Sequence, residues 1–327
     1  MPHVCVVIPN WDGIDFIESC LKSLKVQTNP VKIIVVENGS SDGSPEYIER
    51  NYPEILLIKL PTNRGFAGGV NVGIEKALSM HADYVLLFNN DAIANKTWVE
   101  KLVSAAEHHK ECGIITSKFM RMDKKHLDST GDFYSIWGLP FPRGRNEKDG
   151  GQYDKNIDVF GATGGASLYR AEMLKQIGLF DEDFFAYFED VDISFRAQLA
   201  GWKVRYEPSA IAYHHVSGTS SRLGDFARFH SAKNFLLVYA KNMPLKLYLK
   251  YGPLFTLQLL RMALSSLLRG KFTVFLKGTW AAIKLHTSTK AKRKKIQASR
   301  KVSVTYIDSM LYHHRPPKPP EFKIESR

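Results

Sequence analysis

The chain opens with short runs of β-branched and apolar residues that alternate with segments whose apolar positions recur every three or four residues. The run "HVCVVIPN", closed by Pro9 and Asn10, predicts a buried strand. "FIESCLKSLKVQ" follows with Ile17, Leu21 and Leu24 at helical spacing. "VKIIVVEN" predicts a second strand ended by the turn cluster "GSSDGSP", then "PEYIERNY" a helix and "ILLIKL" a third strand. "GFAGGVNVGIEKALSM" is a Gly-rich turn entering a helix, and "DYVLLFNND" a fourth strand. Strands alternating with helices imply βαβ units and a parallel sheet, whose ligands sit beyond the carboxyl ends of the strands. Each predicted strand end is polar: Asn10 with Asp12, Glu37 with Asn38, then Asn63, and Asn89 to Asp91. One site along one sheet edge is expected.

Between residues 117 and 158 the periodicity fades, and Gly, Pro and charge gather in "WGLPFPRGRNEKDGGQYD", which reads as a long loop with hairpin character. Strand, Gly turn and helix return from "DVFGATGGASLYRAEML". After Asp225 the pattern becomes apolar, basic helices. The expected organisation is an α/β domain over residues 1–225, then a basic, apolar helical region with an irregular tail over residues 226–327.

Length and charge sharpen that division. A chain of 327 residues, 44% hydrophobic, fits one large domain with an appendage, or two domains. The net charge of +12 is unevenly spread: residues 226–307 hold 17 Lys and Arg and no Asp or Glu. Residues 1–225 hold 24 basic and 30 acidic residues. Such asymmetry points to an anionic surface as partner of the second part. "PLFTLQLLRMALSSLLRGKFTVFLKGTWAAIKL" and the polybasic "KAKRKK" fit helices lying in the interface of an anionic membrane. A spanning helix is not expected, because the longest lightly charged run is short of about 20 residues and carries Arg261. Nucleic acid is not an expected partner, since apolar residues dominate these helices and no recognition motif appears; a homo-oligomer interface is compatible with the same face. No secretory signal opens the chain, so a peripheral position on the cytoplasmic face of the cell membrane is expected. Cys5, Cys20 and Cys112 lack any CxxC spacing and read as buried thiols in a reducing compartment.

The chemistry must come from the polar edge. No GxGxxG follows the first strand, "GATGGA" has the wrong spacing, and no GxxxxGK[ST] is present. An acidic, Asn-rich edge repels a diphosphate unless a divalent cation with oxygen ligands bridges them. The segments "VVIPNWDG", "IIVVENGSSDGS", "NRGFAGGVNVGI", "LLFNNDA", "GATGGASLYR", "IGLFDEDFFAYFEDVDISFRAQLAGW" and "AYHHVSGTS" occur in this order over about residues 3–235. In them the chain resembles the family-2 glycosyltransferases with the GT-A fold, and is most similar to their rhamnosyltransferase-like branch. The resemblance implies an open, mostly parallel α/β sheet flanked by helices, inverting sugar transfer from a nucleotide-diphosphate sugar, and Mg²⁺ or Mn²⁺ as cofactor.

The resemblance also implies roles for particular residues. Pro9, Asn10, Glu37 and Asn38 stand where the family holds base and ribose, with Glu37 where an Asp is usual; Arg64 stands near the nucleotide. Asn89, Asn90 and Asp91 replace the DxD-type metal motif, of which only Asp91 keeps its carboxylate. His214, 24 residues beyond Asp190, is implied as the second metal ligand, and strand alternation points His215 to the other face. Asp190 stands for the catalytic base, made more basic by burial beside Phe185, Tyr187 and Phe188, with Glu189 its acceptor-binding or orienting partner. Asp181 to Asp183 read as charge complementation at a helix start, Asp192 as a supporting or capping residue, and His126 to Asp128 as a candidate acceptor contact. The expected donor is dTDP-rhamnose, with a UDP-hexose (galactofuranose, N-acetylglucosamine or another) second. The expected acceptor is a lipid-linked glycan of cell-envelope polysaccharide assembly. The rival from another class is a silent sugar-nucleotide or membrane-binding module, favoured by the weakened "NND".

Overall fold

A computed structural model describes residues 2–155, 157–215 and 224–321. The elements run β1 (Val4–Asn10), α1 (Ile14–Lys25), β2 (Lys32–Asn38), α2 (Ser44–Asn51), β3 (Leu56–Leu60), α3 (Gly65–Ser79) and β4 (Tyr84–Phe88). They continue as β5 (Ala92–Ala94), α4 (Trp98–His108), β6 (Cys112–Arg121), β7 (Leu127–Ser129), β8 (Asp132–Tyr134), β9 (Pro140–Pro142), β10 (Asp158–Val159) and β11 (Ala166–Arg170). Next come α5 (Ala171–Ile177), a 3-10 turn (Glu182–Phe184), α6 (Glu189–Leu199) and β12 (Lys203–His214). The helices α7 (Gly224–Asn242), α8 (Leu245–Leu268), α9 (Phe272–Lys284), α10 (His286–Ala298) and α11 (Val304–Met310) close the chain.

The central sheet has the order β10-β12-β6-β11-β4-β1-β2-β3. β1, β2, β3 and β4 are mutually parallel, β12 is parallel to β6, and β11 runs antiparallel between β4 and β6. The apolar runs are continuous because helices cover both faces. Val4, Val6 and Ile8 of β1 face α1, α2 and α4, whereas Cys5 and Val7 face α3 and α6. All three cysteines are buried free thiols.

The segment expected as a long loop is partly strand. β6 extends to Arg121, and β8 and β9 form a hairpin. β6 shows no alternation because nine of its ten residues are buried, so it has no exposed face to mark it.

The C-terminal helices do not stand apart. Leu237 and Val238 of α7, Leu247 and Tyr251 of α8 and Ile307 of α11 share a core with Val191, Phe195 and Leu199 of α6. Several basic residues of the acid-free stretch reach back to the acids around α6. Lys241 Nζ lies 2.5 Å from Asp181 and 2.9 Å from Asp192, and Lys292 Nζ 2.5 Å from both Asp181 and Asp183. The acids at 181–183 therefore do more than complement a helix start: Asp181 caps the 3-10 turn by accepting from Asp183 N, and also anchors α7 and α10. Asp192 is a supporting residue, held by Arg196, Lys241 and Asn242. Among the described residues no helix is long and apolar enough to cross a membrane.

Candidate active site

A cleft of about 560 Å³ opens beyond the carboxyl ends of β1, β2 and β4. Of the residues singled out from the sequence, Pro9, Asn10, Asn38, Asn89, Asn90, Asp91, Glu189, Asp190 and His214 line it; Glu37 and Arg64 do not.

The sheet order β4-β1-β2 sets three polar strand ends side by side. Asn90 Nδ2 donates to Asn10 Oδ1 (2.6 Å), Asn10 Nδ2 donates to Glu37 Oε1 (2.7 Å), and Ser40 Oγ donates to Glu37 Oε2 (2.5 Å). Glu37 is 1% exposed, so it acts on the cleft through Asn10. Burial pushes its carboxyl above the usual range, and these hydrogen bonds partly offset the push. Gly13 leaves room for this chain, since a Cβ would stand 2.1 Å from Asn90 Nδ2 and 2.3 Å from Asn10 Oδ1 and would push the two amides out of their hydrogen bond. Asn38 folds the next turn, accepting from Arg64 N (2.9 Å) and donating to Gly65 O (2.9 Å). The Arg64 guanidinium turns to Glu182, 3.0 Å away.

Strand pairing places His214. β5 runs antiparallel to β12 with Ala92 opposite His214, which brings the imidazole beside Asp91. His214 Nε2 lies 3.1 Å from Asp91 Oδ1 and its Nδ1 2.9 Å from Asp128 Oδ2, with the ring stacked on Phe119. Burial opposes charge on this ring, but the two carboxylates prevail and push its pKa up to about 9. Asp128 is 2% exposed, and Arg145 Nη2 lies 3.2 Å from its Oδ1. Asp128, a candidate acceptor contact from the sequence, thus faces His214 and is absent from the cleft lining. His215 donates its backbone N–H to Asp91 O (3.0 Å) and packs its ring against Phe16. The rest of that motif, residues 216–220, lies outside the described residues.

The second wall is the start of α6. Asp190 Oδ2 accepts from Gly164 N (3.3 Å), and the next residue, Gly165, accepts from Asn89 N through its carbonyl (2.9 Å). Two adjacent glycines therefore tie Asp190 to the end of β4. A Cβ on Gly165 would meet Asn89 Nδ2 at 2.8 Å, which explains the glycine. Burial raises the Asp190 carboxyl above its ordinary range, opposed by the N–H groups of Gly164 and Val191. Glu189 is 6% exposed, its Oε2 has no hydrogen-bond partner among the described residues, and burial with Asp190 beside it pushes its carboxyl well up. Asp132, which the aperiodic segment gave no reason to single out, also lines the cleft; burial and the Asp190 charge push it up to about 7.

The loop before α6 is strained. Phe185, Tyr187 and Phe188 have φ of 64°, 69° and 68°, a left-handed region costly for aromatic residues. Asn234 of α7 holds it, donating to the carbonyls of Phe184 (3.0 Å), Ala186 (2.8 Å) and Tyr187 (2.6 Å). Lys233 Nζ donates to the Asp183 carbonyl (2.6 Å).

Among the described residues no three His, Cys, Asp or Glu side chains are assembled around a metal position. Asp91 and His214 nevertheless stand side by side in the cleft, and Nε2 becomes a nitrogen donor once a cation displaces its proton. A carboxylate behind the other imidazole nitrogen is the arrangement that orients a metal-ligating histidine. With that proton displaced, the donor set fits a divalent cation.

Known proteins resemble this chain in sequence and in fold. The family model described as "Glycosyl transferase family 2" matches residues 5–178. An N-acetylglucosaminyl-diphospho-decaprenol L-rhamnosyltransferase of Mycobacterium tuberculosis is 28% identical over 240 residues, 66% of this chain and 77% of that protein. Among solved structures, a mannosyltransferase from Pyrobaculum calidifontis in complex with GDP-Man and Mn²⁺ superposes with a TM-score of 0.54 at 17% identity, covering 91% of this chain and 86% of that one. Staphylococcus aureus TarS 1-349 in complex with UDP-GlcNAc gives 0.55 at 15% identity, covering 95% and 93%. At these identities the structures share the fold, an open, mostly parallel α/β sheet flanked by helices, of GT-A type.

Proposed function

The chain belongs to glycosyl transferase family 2, and from that premise we propose that it moves rhamnose from dTDP-rhamnose to a lipid-linked glycan, inverting the anomeric carbon. One observation carries this reading: Asp91, His214 and Asp190 line one cleft, and the Gly164–Gly165 pair bridges its two walls. The acceptor hydroxyl attacks the anomeric carbon opposite the diphosphate. The new C–O bond forms, the bond to the phosphate oxygen breaks, and the hydroxyl proton passes to Asp190. An alcohol holds its proton tightly, so a carboxylate of raised proton affinity at hydrogen-bond distance assists the attack. Asp190 accepts from the N–H groups of Gly164 and Val191, whereas Glu189 Oε2 has no partner among the described residues, so Asp190 serves as base and Glu189 as the protonated partner that donates to the acceptor.

Asp91 and His214, the latter losing its Nε2 proton, would hold Mg²⁺ or Mn²⁺, which would supply positive charge against the departing diphosphate. Asp128 fixes the His214 ring through Nδ1. Pro9, Asn10 and Asn38 face base and ribose, with Glu37 orienting Asn10 and Arg64 bracing the turn through Glu182. The Mycobacterium relative, named for rhamnosyl transfer to a diphospho-decaprenol carrier, supports both donor sugar and acceptor class.

The C-terminal helices supply the membrane contact. Leu260, Leu264 and Leu267 of α8 recur on one face at 61%, 57% and 57% exposure, and Trp280 and Ile283 of α9 are equally open. An apolar face of this kind with basic flanks and no acids seats on an anionic bilayer, here peripherally on the cytoplasmic side. The "KAKRKK" cluster contributes less than its charge suggests, because Lys292 is committed to Asp181 and Asp183, and Arg293 donates to the Ala240 carbonyl (2.8 Å).

The test is metal-dependent release of nucleoside diphosphate from dTDP-rhamnose and from UDP-hexoses. Asp190→Asn is expected to lose about 10²- to 10⁴-fold in kcat. Full activity of Asp190→Asn refutes its role as base, and silence with every donor refutes the transferase reading. Flotation with anionic vesicles, against neutral vesicles and an oligonucleotide, tests the helical face; retention by the oligonucleotide alone overturns it.

A further inference from the structure

A second hollow of about 250 Å³ adjoins the cleft and shares Phe141, Pro142 and Arg145 with it. The β8–β9 hairpin and the prolines of residues 317–320 form its walls, and the rings of Phe133, Tyr153 and Tyr312 line it beside Arg143 and Glu147.

These walls are built rather than incidental. The Arg143 guanidinium lies 4.9 Å from the Tyr153 ring centre and 5.6 Å from that of Phe133, and it donates to Thr130 Oγ1 (2.9 Å) and Thr130 O (2.6 Å). Phe141 stacks on Phe133 at 5.8 Å and meets Tyr312 edge-on at 5.0 Å. Tyr153 Oη donates to Glu147 Oε2 (2.8 Å). The chain end is tied down by Tyr312 N to Tyr134 O (2.9 Å), Ile136 N to Tyr312 O (3.0 Å) and Asn146 Nδ2 to Pro320 O (2.8 Å). A preformed pocket of aromatic faces with a few fixed polar groups is the usual form of a small-ligand site.

The chemistry narrows the occupant. A pyranose ring presents apolar C–H faces and a rim of hydroxyls that both donate and accept. Fixed rings meet the faces, and a carboxylate, a phenol and a guanidinium meet the rim. The volume equals about eight waters at ~30 Å³ each, room for one sugar ring. Phe141, Pro142 and Arg145 line both the hollow and the cleft, and Asp190 lines the cleft, so the hollow adjoins the cavity that holds the proposed base.

We propose that this hollow is an acceptor subsite that takes the sugar unit next to the one glycosylated. The proposal rests on the transferase reading above. The test is saturation-transfer NMR on the full chain with the methyl glycosides of L-rhamnose, N-acetylglucosamine and galactose at millimolar concentration, and with dTDP and UDP as donor-side controls. At least one glycoside should be saturated, with the signal falling fivefold or more in both Tyr312→Ala and Glu147→Gln. Retention of the nucleotide signals in both variants shows that each still folds. A glycoside signal that survives both substitutions overturns the subsite, and so does silence with all three glycosides. Silence of both nucleotides in the wild type strikes the donor reading instead, and the glycoside comparison still decides the hollow.

Discussion

Lys241→Met tests how the basic helices and α6 depend on each other. The ammonium is 4% exposed at the side chain and serves two buried carboxylates, Asp181 at 8% and Asp192 at 0%. Burial alone would raise the Asp181 carboxyl; Lys241 and Lys292 overcome it and hold that group well below the usual range. Removing one partner of a buried pair costs about 3–5 kcal/mol, because the other charge is left uncompensated. Here Asp181 retains Lys292, and Asp192 retains Arg196 and Asn242, so the loss belongs near the lower end, about 3 kcal/mol. Urea unfolding followed by circular dichroism reads it as a lower midpoint at unchanged slope. Lys241→Met combined with Asp181→Asn should lose less than the two single losses together, since the second change removes the stranded charge. The pH dependence has a fixed sign. A depressed folded-state pKa stabilises above the unfolded value and fades as pH falls toward the folded one, so the deficit of Lys241→Met should shrink on acidification below about pH 4. A loss under about 1 kcal/mol at pH 7, the size of an exposed ion pair, would refute the buried-network reading.

Two further outcomes follow from the same geometry. Asn234→Ala removes the donors that hold the Phe184, Ala186 and Tyr187 carbonyls, so the strained loop should shift and lower kcat by about 10²-fold with nucleoside diphosphate binding unchanged by thermal shift; wild-type kcat would show that the loop holds itself. Asp132, raised from 3.8 to about 7, gives up its proton late in the folded state, so it should cost stability as pH climbs from 4 to 7, by up to about 4 kcal/mol. Asp132→Asn should flatten that slope and remove an inflection near pH 7 from the kcat/KM profile, and an unchanged profile would show that Asp132 and Asp190 do not interact.

What was legible in the sequence is what local pattern controls. The parallel strands announce themselves because each is a buried apolar run ended by a polar cluster, and the helices between them because Ile17, Leu21 and Leu24, or Val70 and Ile74, face one core. Strand order cannot be read from such runs. Yet the order β4-β1-β2 is what turns Asn90, Asn10 and Glu37 into a single hydrogen-bonded chain, with Glu37 behind the cleft rather than in it. The resemblance implies His214, and strand pairing sets it beside Asp91, but its second carboxylate, Asp128, could not be read from the sequence, because it reaches the ring only through the pairing of β7 with the buried, patternless β6.

The crowd of acids at residues 181–192 shows the same limit from the other side. As a local string it reads as mutual repulsion relieved at a helix start. The structure divides it into two electrostatic populations. Asp181, Asp183 and Asp192 are neutralised by lysines from α7 and α10, at least 49 residues away in the chain. Glu189 and Asp190 form no ion pair among the described residues; the charges of Lys233 and Arg145 act on them from farther off, and burial keeps their proton affinities raised. Carboxylates two residues apart thus sit in opposite electrostatic environments, and the ion pairs from α7 and α10 make the difference. Deleting the positive charge of α7 and α10 would strand the first group, so the acid-free stretch belongs as much to the packing around α6 as to the C-terminal helices.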